Sequence, residues 1–358
     1  MNYYFHVPFC RSKCGYCAFY SEPAPGEELL DAYLDRLEQE LDSFKPQEPC
    51  ETLYLGGGTP TLFDDRRLER LLAMITRTLA PPPDAEISIE ANPETLTAAK
   101  VALLRSFANR LSLGVQSFDS QLRGTLGRDC SQAALERALD LVATAKFPHW
   151  NCDLIYAIPG QDGEAFRRDL DSAVALGIDH LSCYSLTPEE GARLADSLLP
   201  DEEESERMWK IANGCGLTHY EISNYAKSGG ECRHNLNVWR GGRLRGFGPS
   251  AAGFDGVRRT IEPASLAAWL RGDPPEVDEI PPEERLNEIF AVNLRTVRGW
   301  TPELWSGVPN ADPWESRLAV AQRAAAETFP EWFDISPERI TLTNSGLLFW
   351  NSVAETIL

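Results

Sequence analysis

Cys10, Cys14 and Cys17 stand in one short stretch, CRSKCGYC, near the start of the chain. Thiolates are strong metal ligands, and three at spacings of four and three can face one another from a single loop. Structural zinc takes four protein ligands, and no paired C-x2-C or H-x3-H follows downstream to complete such a set. Three thiolates on one loop suit an iron–sulfur cluster, each holding one iron, and a four-iron cubane then keeps one iron open to a non-protein ligand. The other six of the nine cysteines, Cys50, Cys130, Cys152, Cys183, Cys215 and Cys232, are scattered and read as small buried hydrophobes. An odd count without close pairing excludes a disulfide framework.

The elements that must position this loop alternate in type for about two hundred residues. Strand-like NYYFHVPF (2–9) precedes a helical pattern over 27–44, in which Leu30, Tyr33, Leu34, Leu37 and Leu41 recur at helical spacing. ETLYLGGG (51–58) precedes a helix over 64–79, EISIEANP (86–93) one over 95–107, LSLGVQSF (111–118) one over 131–145 and NCDLIYAIP (151–159) one over 164–175, with LSCYSL (181–186) as a sixth strand. Six successive strand–helix units demand a parallel sheet and predict a full or partial barrel. The unusual residues fall at the carboxyl ends of these strands: the cysteines, GGGTP, Glu90 and Asn92, Gln116 and Asp153. Parallel barrels collect their active sites on that face.

Beyond residue 186 the pattern loosens. A loop over TPEEGARLADSLLPDEEES leads to a helix from about 202 to 214, THYEISNYA (218–226) reads as one edge strand, and GDPPEVDEIPPEE (272–284) reads as a proline-rich acidic linker. The expected divisions are a core over 1–190, an extension carrying an HNxxxW loop over 191–271, and a small, mostly helical domain with a wing over 280–358. The formal charge of −20 argues against general nucleic-acid binding, and the run DEEESE at 201–206 reads as a solvated helix start. One basic patch, RHNLNVWRGGRLR (233–245), stands against that background. The 43% hydrophobic content fits a globular core, and no apolar run approaches the roughly 18 to 20 residues that span a bilayer. MNYYFHVPFC lacks the basic and apolar regions of a signal peptide, so a cytoplasmic protein is expected, with no transmembrane segment and at most peripheral membrane contact.

In order along the chain, YxHxPFCxxxC, LYLGGGTPT, ISIEANPE, LSLGVQSF, LGR, DLIYAIPGQ, YSLTPE and HNLNVWRGG together resemble the radical S-adenosylmethionine (SAM) superfamily. Within it they resemble the branch containing oxygen-independent coproporphyrinogen III dehydrogenase and the HemW-type heme chaperones. The resemblance implies an α/β partial (β/α)6 radical-SAM barrel with an edge extension. It also implies a [4Fe–4S] cluster on Cys10, Cys14 and Cys17 whose open iron takes the amino and carboxylate groups of SAM. In that superfamily the reduced cluster passes an electron to the sulfonium, giving methionine and a 5′-deoxyadenosyl radical. Carried onto this sequence, Tyr4 lies near the cluster, and Gly56, Gly57, Gly58 and Thr59 bring main chain to the methionyl amino group. Glu90 and Gln116 bind polar groups of the cofactor, Asp153 takes ribose hydroxyls and Arg128 meets the methionyl carboxylate.

Three departures point from the dehydrogenases to the chaperones. Phe19 occupies the position where the dehydrogenases carry a further cysteine, strand one begins almost directly at the N-terminus, and HNLNVW resembles the HNxxYW signature of the chaperones. The signature is imperfect: Val238 replaces its tyrosine, and Ala252 stands where relatives often carry histidine. His234 is therefore read in two ways. It ligates heme iron, with Arg233, Arg240 and Arg243 beside the propionates, or it hydrogen-bonds a loop carbonyl while Trp239 plugs the open side of the barrel. His6 is read as structural, under the cluster, and His149, His180 and His219 are unassigned. The expected function is that of a heme chaperone-like radical SAM protein passing heme to an acceptor protein. Two alternatives stay open: a radical enzyme, with coproporphyrinogen III dehydrogenase as the named case, and a structural descendant that binds neither heme nor substrate.

Overall fold

A computed structural model describes residues 1–358 except 24, 188–191, 193 and 195–201. The six expected strands are present as Asn2–Val7, Thr52–Gly57, Glu86–Ala91, Arg110–Gln116, His149–Tyr156 and His180–Ser185, each parallel to the next. The helices between them, Glu27–Ser43, Asp65–Leu79, Ala98–Phe107, Gln132–Ala145 and Gly163–Ala175, lie within three residues of the periodic patterns. Their starts have a local cause. Asp64, Thr97, Ser131 and Asp162 each accept a hydrogen bond from a backbone N–H of the first turn that has no intrahelical partner.

The strands alternate so that their two faces carry opposite chemistry. Leu53, Leu55, Ile89, Leu111, Leu113, Val115, Leu154 and Leu181 are fully buried in the hydrophobic core that also holds the helices. On the other face Tyr54, Ser88, Glu90, Ser112, Asn151, Asp153, Ser182 and Tyr184 line one cavity. The interior of this partial barrel is polar, whereas a closed (β/α)8 barrel fills its interior with branched aliphatic layers.

The twelve strands of the sheet, among the described residues, run in an open order, with the six parallel strands in the middle. The extension after strand six adds to both edges. Thr218–Glu221 and Asn224–Ala226 form an antiparallel pair beside the sixth strand, so THYEISNYA is two strands where one was expected; the turn at Ile222–Ser223 reverses it. The chain then crosses to the opposite edge, where Leu244–Phe247 pairs parallel with the first strand and Ala252–Phe254, Arg258–Ile261 and Glu276–Glu279 follow antiparallel. The expected linker at 272–284 therefore contains the outermost strand, and Pro282 opens the next helix, where its missing N–H costs nothing. The crossing itself is made by the helix Arg233–Trp239, so the HNxxxW segment is helical where a loop was expected. The loop expected before residue 202 and the expected boundary at 190 fall largely outside the described residues.

The C-terminal stretch holds helices Pro282–Asn293, Trp314–Glu327 and Trp350–Ile357 and the expected wing, an antiparallel pair of Phe333–Ser336 with Arg339–Leu342. It joins the sheet through Arg295, whose guanidinium pairs with the buried Glu221 at 2.9 Å and lies over the rings of Trp239 and Trp350. Trp239 is thus held by a cation–π contact at the seam with the C-terminal helices. Among the described residues, no helix is long and apolar enough to cross a membrane.

Glu86 anchors the crossing helix to the sheet. Its carboxylate accepts from Arg110 Nε at 3.1 Å and from the backbone N–H groups of Arg233 and His234, and both Glu86 and Arg110 are almost fully buried. Removing one member of a buried ion pair strands the other charge away from water. Glu86→Gln is expected to lower the unfolding free energy by about 3 kcal/mol, read as a lower midpoint in urea denaturation.

Candidate cofactor and ligand cavity

The polar face of the sheet encloses a cavity of about 1130 Å³ that reaches from the cysteine loop to Cys232 and Asn235 at the opposite ends of the strands. Cys10, Cys14 and Cys17 all line it, each half-buried and none in a disulfide. Burial pushes the Cys10 and Cys17 thiols up, and the Thr59 hydroxyl, 3.7 Å from the Cys10 Sγ, acts in the opposite direction. Arg128 reaches Cys14 Sγ at 3.9 Å from the next wall.

The loop is braced by partners that the strand ends supply. Gly15 donates its N–H to the Leu126 carbonyl, and the His6 ring lies under the loop with Nε2 3.0 Å from the Tyr20 carbonyl. A carbonyl only accepts, so Nε2 carries the proton and Nδ1 accepts from the Tyr4 hydroxyl at 2.9 Å. Tyr4 therefore acts on the loop through His6; it does not line the cavity.

The glycine loop is shaped by close approach. Gly57 has φ +106, and a Cβ there would fall 2.5 Å from the His6 ring; a Cβ on Gly58 would fall 2.5 Å from the Phe9 carbonyl oxygen. Gly57 and Gly58 line the cavity, while Gly56 backs the Glu90 carboxylate and Thr59 is buried behind the wall. The N–H groups of Gly57, Gly58 and Thr59 are given to Glu90, Val7 and Phe9. An ammonium, which only donates, would have to use carbonyl oxygens of such a loop.

Glu90, Gln116, Arg128 and Asp153 all line the same cavity. Glu90 accepts from Tyr54 Oη at 2.9 Å and Gly57 N at 3.0 Å, and enclosure by protein, with Asp153 nearby, raises its carboxyl to about 7. Burial also raises Asp153, against hydrogen bonds from Ser112 and Asn151. Arg128 donates to Asn92 Oδ1 at 2.5 Å and to the Gly114 carbonyl at 2.6 Å, and its buried Nε has no hydrogen-bond partner among the described residues. Gln116 closes its strand with φ +70 at a register shift. Such strain in a non-glycine residue persists where surroundings over-determine it, as at ligand sites.

His234 is placed elsewhere. It is 5% exposed beneath the first residues of the strands, outside the residues that line the cavity. The Thr52 hydroxyl donates to Asn2, so it accepts from His234 Nδ1 at 2.8 Å, and burial holds the imidazole neutral by lowering it to about 4. The partner is thus a threonine hydroxyl where a loop carbonyl was one expectation. Arg243 is committed to Glu48 and to the Asp255 carbonyl, and Arg233 to the Asp84 carbonyl.

Asn92, singled out at its strand end without a role, joins Thr59 to Arg128; sequence reasoning missed the polar lining of Tyr54, Ser112, Asn151, Ser182 and Tyr184. Their signal was alternation over short runs: in LSCY (181–184) and NCDL (151–154) every second residue is polar or a tyrosine, next to an apolar neighbour.

Among the described residues, no three His, Cys, Asp or Glu side chains converge as they would around a single metal ion. Three thiols spread over one loop fit a polynuclear cluster, whose thiolates attach to different irons. The comparisons agree. The radical SAM superfamily profile matches residues 4–173. The heme chaperone HemW of Mycobacterium tuberculosis is 35% identical over 99% of this chain and 94% of its own, and that of Escherichia coli 36% over 100% and 98%. This chain belongs to the HemW family. A solved structure of coproporphyrinogen III oxidase (HemN) from Escherichia coli, a radical SAM enzyme, superposes with a TM-score of 0.85 over 99% of this chain and 89% of its own, at 21% identity, and shows the shared fold. HemW family membership implies the cluster and SAM, and the cavity holds the thiols, carboxyls and guanidinium that would meet them.

The raised Glu90 carboxyl has a consequence for stability. Between about pH 4.5 and pH 7 the unfolded chain ionises at this position while the native chain stays protonated, so stability falls as pH rises through that window. Glu90→Gln removes this dependence. The unfolding free energy of the variant minus that of the unaltered protein, both without SAM and read from urea denaturation, is expected to be larger at pH 8 than at pH 5 by roughly 2 kcal/mol.

Proposed function

We propose that this protein is a heme chaperone that carries a [4Fe–4S] cluster on Cys10, Cys14 and Cys17, binds SAM beside it, and passes heme to an acceptor protein in the cytoplasm. One observation carries the reading: near full-length similarity to HemW heme chaperones, joined to a cavity in which the three thiols, Glu90, Gln116, Arg128 and Asp153 all meet. When bound, the cluster would supply electrons to the sulfonium of SAM. The protein's own part is to hold the ligands. Arg128, whose buried Nε has no hydrogen-bond partner among the described residues, would take a carboxylate; Asp153, fixed by Ser112 and Asn151, would take hydroxyls; the glycine loop would bring main chain close.

Phe19 speaks against dehydrogenation, since the fourth cysteine of the dehydrogenase pattern is absent at that position. His234 is buried under the sheet against the Thr52 hydroxyl, outside the cavity lining, so the reading does not use that side chain as a heme ligand.

Anaerobically reconstituted protein is expected to contain iron and sulfide, to take up hemin with a shifted Soret band, and to release no carbon dioxide from coproporphyrinogen III. Replacing all three loop cysteines with serine is expected to abolish iron and sulfide retention. Iron content unchanged in that variant, or protoporphyrinogen formation by the unaltered protein, would overturn the reading.

A further inference from the structure

The exposed aromatic side chains of this protein are not spread over its surface. Among the described residues the exposed Phe and Tyr side chains are Phe19, Tyr184, Phe329 and Phe349, at 69, 44, 52 and 48%. Three of them, Phe19, Tyr184 and Phe349, line the cavity that holds the cysteine loop. They come from three distant parts of the chain: the cysteine loop, the carboxyl end of the sixth strand, and the junction between helices Asn344–Leu348 and Trp350–Ile357. The fourth belongs to the same assembly. Phe349 stacks on Trp332 with centroids 4.8 Å apart and planes 10° apart, and Trp332 packs on Phe329 at 4.6 Å.

Exposed apolar surface costs free energy, and a soluble protein seldom gathers it in one place unless something covers it. Flat aromatic faces around one opening suit a flat aromatic ligand, which they meet by stacked or edge-on contacts. Leu186 and Leu348 add aliphatic lining to the same cavity. Arg11, whose guanidinium is 3.9 Å from Asp129, and Lys13 come from the same loop as Phe19 and also line this cavity. A ligand with an apolar disc and carboxylates at its edge matches both parts.

Resting on the chaperone reading, we infer that heme is held at this mouth, its macrocycle against Phe19, Tyr184 and Phe349 and its propionates towards Arg11 and Lys13. Two consequences follow for the chain. Phe19, at the position where a dehydrogenase-type loop has cysteine, becomes a contact for the tetrapyrrole. The C-terminal helices become one wall of the heme site, with the stack behind Phe349 holding its ring in place.

Hemin and iron-free protoporphyrin IX, titrated into the full-length protein and followed by Soret absorption and by porphyrin fluorescence, test the inference. Phe349→Ala and Phe19→Ala are each expected to weaken both ligands about tenfold, the scale of one lost aromatic contact with its buried area. Equal losses for hemin and protoporphyrin IX support contact with the macrocycle. Phe349 lies far along the chain from the cysteines, so its variant stays informative if Phe19→Ala disturbs the loop. Hemin uptake by the unaltered protein together with affinities within twofold of it in both variants would overturn the inference alone. No hemin uptake by the unaltered, reconstituted protein would overturn the chaperone reading and this inference with it.

Discussion

The rest of the structure depends on the alternation of apolar and polar side chains along six parallel strands. A strand buried on both faces reads as a continuous apolar run. Here Leu111, Leu113 and Val115 face the helices while Ser112, Gly114 and Gln116 face the cavity, and the neighbouring strands repeat the scheme. A sheet of this kind can bury only one face in a hydrophobic core. The other must be solvated or filled by ligands, and its polar groups must find partners. Ser112, Asn151, Asp153 and Ser182 find them in one another, which keeps the lining ordered without closing the space.

The cysteine loop is too short to fix its own shape, and the fold fixes it from three sides. His6 from the first strand binds the Tyr20 carbonyl, the Leu126 carbonyl takes Gly15, and Arg128 leans on Cys14. The same Arg128 is joined through Asn92 to Thr59, and Thr59 reaches back to Cys10. The glycine loop, the third strand, the segment after the fourth and the cysteine loop thus form one connected polar belt. Substitution in the belt propagates: a side chain at Gly57 would meet His6, and His6 holds the loop.

Much of this could be read from the residues. Periodicity placed the six strands and five helices, because alternation and helical spacing are local signals. The site residues at strand ends could be anticipated because the fold forces those ends together; Glu90, Gln116 and Asp153 do share the cavity with the thiols, and so does Arg128, which only the family resemblance pointed to. The failures lie where tertiary contacts decide. THYEISNYA has strand character throughout, yet Asn224 and Ser223 bind Glu221, and the chain turns there. GDPPEVDEIPP has the composition of a linker, yet its middle pairs with Arg258–Ile261, whose arginines face Asp278 and Glu279. His234 reads both as a ligand and as a structural residue, and nothing local reveals that its contacts, Thr52 and Glu86, come from more than a hundred residues away under the sheet.

The electrostatics of the cavity explain how a chain of charge −20 can offer a site to ligands that themselves carry carboxylates. Net charge acts at long range and is screened within about 8–10 Å at ordinary ionic strength. Inside, the carboxyls of Glu90 and Asp153 are both pushed towards the neutral form by enclosure, while Arg128 stays charged and Arg11 and Lys13 line the same cavity. The local balance is therefore less negative than the composition implies. A group that needs an ionised acceptor, such as an ammonium, can still draw Glu90 into its charged form near neutral pH, because its carboxyl sits at about 7. An acidic exterior favours solubility, and carboxyls held towards the neutral form lower the repulsion that an anionic group would meet inside.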